Sequence, residues 1–390
     1  MHRSLLGLIV CPRCRERFTL DVYREAASAH GGEPEILEGA LACSACAAAY
    51  PVVAGVPRLL GPALLVRVRE RHPQFFATYP QFLGARAAND DPLADTLESF
   101  TRQRLDLDLP GPALAAQWRR NLRRNLGDAL TLDQLRGRRI LDVGCGFGRH
   151  LLVAAEHGAE VVGVDLSGGV EVAYRNLGSR PNCHIIQANV HERPLRDATF
   201  DVVWSFGVLH HMPDPAAGFR ALVEFARPDG GLIAIWVYGY RGMSFTYRLS
   251  HMRALHTVTR SLSGSARLRA SAVVAAVLSA LYWEPLRVLR RLGLGRVVER
   301  MPLSDYVAHG WMARVAGVHD RLSTPITHFH DREELEHWLR AARLASIRVE
   351  DTGRRGWRAS GRRVPHPGAA SRPHTGANGP GRHEGRPLPG

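Results

Sequence analysis

Between residues 139 and 237, short apolar runs alternate with longer segments of helical period. Runs at about 139–143, 160–164, 183–187, 200–205 and 231–237 are almost continuously apolar, as strands buried on both faces are. Stretches between them, such as Leu151-Leu152-Val153-Ala154-Ala155, fit crossover helices. Strands joined by such helices form a parallel sheet with layers on both faces. Further on, Asp331 to Leu339 reads as a helix with an acidic first turn, which complements the helix dipole. Ser346 to Glu350 and Gly356 to Ser360 read as two last strands.

The rest of the chain has a different texture. Residues 1–62 form a small β unit, with strands expected at Asp21-Val22-Tyr23 and Glu35-Ile36-Leu37 around Gly31-Gly32. Residues 63–135 are polar and helical, with a loop at Asn89-Asp90-Asp91-Pro92. Within this segment, Phe100, Gln103, Gln117 and Trp118 lie just upstream of the core, and Gln117-Trp118 is a lid candidate, with core packing the alternative. The core runs over 136–238. Residues 239–330 are a helical insertion with apolar and arginine faces, as in Leu286-Arg287-Val288-Leu289-Arg290-Arg291-Leu292, placed to cap the substrate side. Residues 331–363 supply the closing helix and strands. From 364 to 390, Pro, Gly, Arg and His dominate, and a disordered tail is expected.

The chemistry concentrates in Leu141-Asp142-Val143-Gly144-Cys145-Gly146-Phe147-Gly148-Arg149-His150. It passes from a strand through a glycine turn into a helix. The glycines let the backbone approach a flat ligand, and the helix start offers free N–H groups. Asp142 separates this loop from a diphosphate site, because a carboxylate there suits a cationic ligand arm instead. Asp165, 23 residues later at the end of Val161-Val162-Gly163-Val164-Asp165, is placed to take two hydrogen bonds from a ribose diol. Asp142, Asp165, Asn189 and Ser205 all fall at strand C-termini, where ligands bind in such sheets. The expected ligand is a nucleoside with a cationic arm.

These segments, with Gln187-Ala188-Asn189-Val190, Phe200 to Ser205, Gly207 to Pro215 and Arg227 to Gly231 in order, resemble the motifs of class I S-adenosylmethionine-dependent methyltransferases of the ubiquinone/menaquinone-biosynthesis type. The resemblance covers about residues 136–238. It implies a Rossmann-like α/β fold with a seven-stranded sheet and S-adenosylmethionine as cofactor. Asp142, Gly144, Cys145 and Gly146 would form the loop at its methionine end. Asp165 would hold the ribose, Leu166 would pack on the adenine, and Asn189 with Val190 would meet the adenine edge. Asn189 stands where the family has Asp, so a neutral acceptor replaces a charged one.

Cys11-Pro12-Arg13-Cys14 and Cys43-Ser44-Ala45-Cys46 are two C-x₂-C knuckles separated by 28 residues. Such pairs suit tetrahedral zinc held by four thiolates. With Ala49-Tyr50-Pro51-Val52-Val53-Ala54-Gly55-Val56-Pro57 after them, the unit resembles a small zinc-ribbon family whose best-known members activate methyltransferases of RNA and protein. Cys145 and Cys183 read as small core residues.

Methyl transfer from a sulfonium needs positioning and exclusion of water, and a base where the acceptor is a hydroxyl or an acidic C–H. His210 and His211, after the fourth core strand, are the base candidates, with pocket shaping as the alternative. Tyr238 and Tyr240 are acceptor-site candidates. His328 and His330 flank Phe329 without metal spacing.

All 51 basic residues are arginine, the net charge is +14, and residues 241–300 hold eleven arginines against Glu284 and Glu299. That cluster points to an anionic partner or a solvated face. The longest apolar run, Ala272 to Trp283, is shorter than the roughly 20 residues of a membrane span, and no signal peptide is apparent. The expected protein is cytoplasmic, with peripheral membrane contact left open. Its expected function is methyl transfer to O or C of a small-molecule or lipid-linked acceptor. The alternatives are RNA methylation through the ribbon and basic cap, and a non-catalytic zinc scaffold.

Overall fold

The computed structural model describes residues 1–28, 31–82, 97, 101, 112–239, 264–301, 303–308, 310–323, 326–352 and 356–365. The expectations for the 89–92 loop, Phe100, Gln103, Tyr240, the first part of the insertion and the tail beyond 365 fall outside these residues.

Among the described residues, eleven strands form one sheet: β1 (Phe18–Ala26), β2 (Glu35–Cys43), β3 (Ala49–Val53), β4 (Val56–Leu59), β5 (Arg139–Val143), β6 (Glu160–Asp165), β7 (Cys183–Ala188), β8 (Val202–Phe206), β9 (Leu232–Tyr238), β10 (Ala345–Asp351) and β11 (Gly356–Arg362). Their spatial order is β1-β2-β3-β4-β7-β6-β5-β8-β9-β11-β10. From β7 onward, the seven strands are those expected of the core. Five are parallel, and the β10/β11 hairpin closes the far edge antiparallel. The chain order reverses between β5 and β8, which opens a crevice at their C-termini.

Successive β5 residues face opposite layers. Leu141 and Val143 join the core formed with Phe219, Leu222, Trp338 and Leu339. Ile140 joins the core of Leu122, Leu151, Val170 and Trp204. The helices are α3 (Pro112–Leu126), α4 (Arg149–Glu156) and α5 (Gly169–Leu177) on one face, and α6 (Pro215–Phe225) and α11 (Arg332–Ala341) on the other; α1 (Pro62–Arg71) and α2 (Pro73–Thr78) precede them. Asp214 caps α6 by accepting the Ala217 N–H at 2.8 Å, with Pro215 starting the helix. Asp331 caps α11 through the Glu334 N–H at 2.8 Å.

The β unit at the N-terminal end does not stand apart. Its strand β4 lies parallel to β7, with Arg58 opposite Gln187 and Leu59 opposite Ala188. Ile9, Leu41, Tyr50 and Val52 share the apolar cluster of Leu141, Val164 and Ile186. This long-range pairing leaves no local mark in sequence.

Arg58 fastens the junction. It is fully buried, donates to Gln187 Oε1 at 2.7 Å and to the Val53 carbonyl at 3.3 Å, and lies 3.6 Å from Glu171. Burial lowers the guanidinium to about 10, opposed by Glu171. Burial raises the Glu171 carboxyl, but His72, Arg58 and Arg71 together hold it at about 2. Arg58→Ala leaves this mostly buried carboxylate short of a partner. Chemical denaturation of the variant is expected to show a loss of about 3–5 kcal/mol; a loss within error would mean that Arg71 and His72 suffice.

Residues 264–323 form a helical module: α7 (Gly264–Leu278), a π turn (Ser279–Trp283), α8 (Glu284–Arg291), α9 (Gly295–Arg300) and α10 (Trp311–Ser323). It has its own core of Ala275, Trp283, Leu286, Val298, Val307, Val315 and Val318.

Candidate functional site

The first core loop is held open by three glycines with left-handed backbone, Gly144 at φ 78°, Gly146 at 57° and Gly148 at 85°. Other residues are strained in this region. A Cβ on Gly144 would also come within 2.3 Å of the Val208 side chain. The loop therefore packs directly against the segment that follows β8.

Asp165 ties the loop to the end of β6. Its Oδ2 accepts the Gly146 N–H at 2.7 Å, and Oδ1 accepts the Ser167 N–H at 2.8 Å. Two backbone donors thus fix the plane of the carboxylate.

Asp142 is in a different situation. It is 2% exposed, and its Oδ2 has no hydrogen-bond partner among the described residues. The Trp204 Nε1 likewise lacks one. Burial pushes the Asp142 carboxyl up to about 7, while the Trp204 indole, close by but outside hydrogen-bond geometry, and Arg149 pull the other way. A buried carboxylate oxygen left unpaired is costly. A cation reaching it from the loop side would remove that cost.

A cavity of about 370 Å³ opens at the ends of β5 to β8. Gly144, Asp165, Leu166, Asn189, Val190 and His211 are on its wall. Four other expected contacts are off this wall: the buried Asp142 and three more. The Cys145 sulfur packs toward Gly163, 2.9 Å from where a Cβ there would lie. The Ser205 hydroxyl is fully buried and donates to the Val143 carbonyl at 2.9 Å, which joins β8 to β5. Gly146 offers its N–H to Asp165. Like Asp142, these three are not on the wall of the cavity. The Asn189 side-chain oxygen accepts the His191 N–H at 3.1 Å and caps a short turn.

The two histidines part company. His210 is completely buried, stacked on Tyr238 at 3.9 Å, and accepts the Tyr238 N–H at 3.3 Å through Nδ1. Burial, with His211, His330 and His328 nearby, holds it well below the usual imidazole range. It is a neutral packing residue behind the cavity. His211 is on the cavity wall, with Nδ1 2.9 Å from the Ile326 carbonyl. A carbonyl only accepts, so Nδ1 carries the proton and Nε2 is the basic nitrogen. Trp118, the lid candidate, is buried and packs on Phe147 of the glycine loop at 5.4 Å.

Sequence reading missed Val208, Met212 and Pro213, which also line the cavity. Their signal was the Asp214-Pro215 helix start, which turns the preceding residues across the strand ends. No described residue of 264–323 lines this cavity. The second cavity, about 910 Å³ between α6 and α11, shares no lining residue with it.

At the far end of the sheet, the sulfurs of Cys11, Cys14, Cys43 and Cys46 lie within 4.8 Å of one another. Cys11–Cys46 is 3.6 Å and Cys14–Cys43 is 3.3 Å. A disulfide requires about 2.05 Å. Zinc–sulfur bonds of about 2.3 Å in a tetrahedron set sulfur–sulfur edges of about 3.8 Å, so the donor set fits zinc. Each knuckle ends on a left-handed residue, Arg15 at φ 68° and Ala47 at φ 55°.

Comparison with known families agrees with this geometry. Residues 141–234 match the family described as a methyltransferase domain, and residues 2–55 match Trm112p-like proteins. A ubiquinone biosynthesis O-methyltransferase of Alkalilimnicola ehrlichii is 38% identical over 27% of this chain and 44% of its own length. A tRNA U34 carboxymethyltransferase of Idiomarina loihiensis is 33% identical over 32% of this chain and 41% of its own. The chain thus spans less than half the length of these curated relatives. A solved complex containing the Haloferax volcanii Trm112 methyltransferase activator is 12% identical, covering 72% of this chain and 100% of that one, with a TM-score of 0.39.

Proposed function

From a chain that joins a Trm112p-like unit to a methyltransferase domain, we propose an S-adenosylmethionine-dependent methyltransferase acting on O or C of a small-molecule or lipid-linked acceptor. The observation that carries the reading is the orphaned, buried Asp142 oxygen beneath a glycine loop whose next neighbour is the anchored Asp165. In this reading, Asp142 receives the ligand's ammonium and Asp165 its ribose hydroxyls. Leu166, Asn189 and Val190 flank the base. When bound, S-adenosylmethionine supplies a methyl group on a positively charged sulfur. The four cysteines hold structural zinc. The functional units follow the boundaries 1–62, 63–135, 136–238, 239–330 and 331–363.

The chain's own task at the acceptor is to orient it, exclude water and accept a proton. Val208, Met212 and Pro213 give an apolar wall. His211 takes the proton at Nε2, because Nδ1 is committed to the Ile326 carbonyl. His211→Gln is expected to lower kcat by about 10²–10⁴-fold with S-adenosylmethionine affinity unchanged. An unchanged kcat would leave His211 only a wall residue.

A second reading, RNA methylation, is favoured by the Trm112p-like unit and the tRNA-modifying relative. Methyl-labelled S-adenosylmethionine offered with a quinol-rich lipid extract and with total tRNA separates the two. Label in the organic phase supports the first reading; label in RNA alone replaces it with the second.

A further inference from the structure

The helical module at 264–323 presents an anomaly. α7, the π turn and α8 form one continuous helix, Ala266–Arg291, of 26 residues. By length and composition it could cross a membrane, yet only 17% of its most apolar stretch is buried inside the protein. The longest unbroken apolar run understated it, because the helix continues through Leu268 at one end and Pro285 to Val288 at the other. Its 270–283 part carries no charged residue; a stretch apolar around its circumference belongs in a protein core or in lipid, and this one is largely outside the core.

Thirteen of the fourteen exposed large apolar side chains among the described residues lie between Leu268 and Met312. Val273, Val277 and Leu281 recur every four residues, which aligns them on one face. They are 64%, 51% and 76% exposed. Beyond the π turn, Val288 and Leu292 repeat the spacing at 52% and 71% exposure. A monomer surface rarely carries so large an apolar patch without a partner.

The charge around the patch narrows the partner. Arg269, Arg290, Arg291 and Arg296 are exposed in the same module. The acids in 264–301 are Glu284 and Glu299, and Glu284 is engaged by Arg314 at 2.8 Å and Arg287 at 2.9 Å. Arginines beside an apolar face match an anionic bilayer, where headgroups meet the guanidinium and acyl chains receive the side chains. Nucleic acid would leave the valines and leucines in water.

We propose that the 264–312 face docks this protein in plane on an anionic lipid surface, with the Val273–Leu292 stripe entering the acyl boundary. The inference does not depend on the acceptor, since a docked enzyme can methylate a soluble compound.

The test is co-sedimentation of the full, zinc-loaded chain with vesicles of phosphatidylcholine alone or with one part in four phosphatidylglycerol. Binding at least about tenfold stronger to the anionic vesicles is expected, weakening as salt rises. The double variant Leu281→Asp with Leu292→Asp alters two of the most exposed side chains, and circular dichroism confirms its fold. It is expected to lose at least about tenfold in vesicle binding. Wild-type protein that ignores anionic vesicles, or a double variant that binds as wild type, overturns the proposal. So does a wild-type dimer that the double variant converts to monomer without any vesicle binding, because a second copy would then cover the face.

Discussion

Asp142→Asn is expected to weaken S-adenosylmethionine binding by at least about 10²-fold, while the protein stays folded. Asp142 is 2% exposed and keeps one oxygen without a partner. A charge-assisted hydrogen bond to the ligand's ammonium is worth about 1.5–3 kcal/mol, and more where the group is already desolvated. Asparagine retains the shape but presents a neutral amide, so the charge attraction disappears. The same substitution should make the ligand-free protein more stable above neutral pH. The folded state holds the Asp142 proton up to about pH 7, against an ordinary value of 3.8. Between these values the folded state binds more protons than the unfolded one, so stability falls as pH rises across that window. Asparagine removes this slope. Thermal melts at pH 8 should show a higher Tm for the variant; a lower one would mean that the carboxylate already has a partner in the fold.

Removing the metal is expected to have the second largest effect. The four thiols are gathered on two loops, each ending in a left-handed residue. Without an ion, only weak thiol–thiol contacts hold the four sulfurs within 4.8 Å of one another. The unit cannot loosen alone, because β4 pairs with β7 within the sheet and the unit's core is continuous with the sheet's. The contact chain extends to the ligand cavity: Arg58 donates to Gln187, and Gln187 donates to the Leu166 carbonyl at 3.0 Å. Chelation, or Cys43→Ser, should therefore lower Tm by about 10 °C or more and weaken S-adenosylmethionine binding with it. Metal analysis should find about one zinc per folded chain. A chelated protein with unchanged Tm and affinity would show that the ribbon holds without an ion.

What was legible in sequence was local. The strand at 139–143 ends where expected, and Asp165 and Asn189 fall at strand ends as their motifs imply. Apolar runs and glycine turns carry that information within a few residues. The knuckle cysteines converge because the 28-residue spacer is mostly a hairpin, β1 with β2. What was not legible depended on distant partners. Nothing near Val56–Leu59 announces pairing with β7. Ser205 looked available at a strand end, but its hydroxyl is claimed by Val143 from the neighbouring strand. Cys145 sits in the right loop and faces the wrong way, because Gly163 leaves room for its sulfur in the core. His210 and His211 are equivalent in sequence. Only the Tyr238 stack and the Ile326 carbonyl separate a buried neutral ring from a wall residue.

The central claim is that Asp142 awaits a cationic ligand arm, and calorimetry of S-adenosylmethionine with the folded, zinc-loaded chain tests it most directly. Titrations at pH 6 and pH 8.5, each in two buffers of different ionisation enthalpy, count the protons exchanged. With Asp142 at about 7 in the free protein, binding at pH 6 should release about 0.9 proton, whereas at pH 8.5, where the carboxylate is ionised and the ligand's α-amino group is mostly neutral, binding should take up about 0.8 proton instead. Absence of binding by the folded protein, or binding without proton release at pH 6, would contradict it.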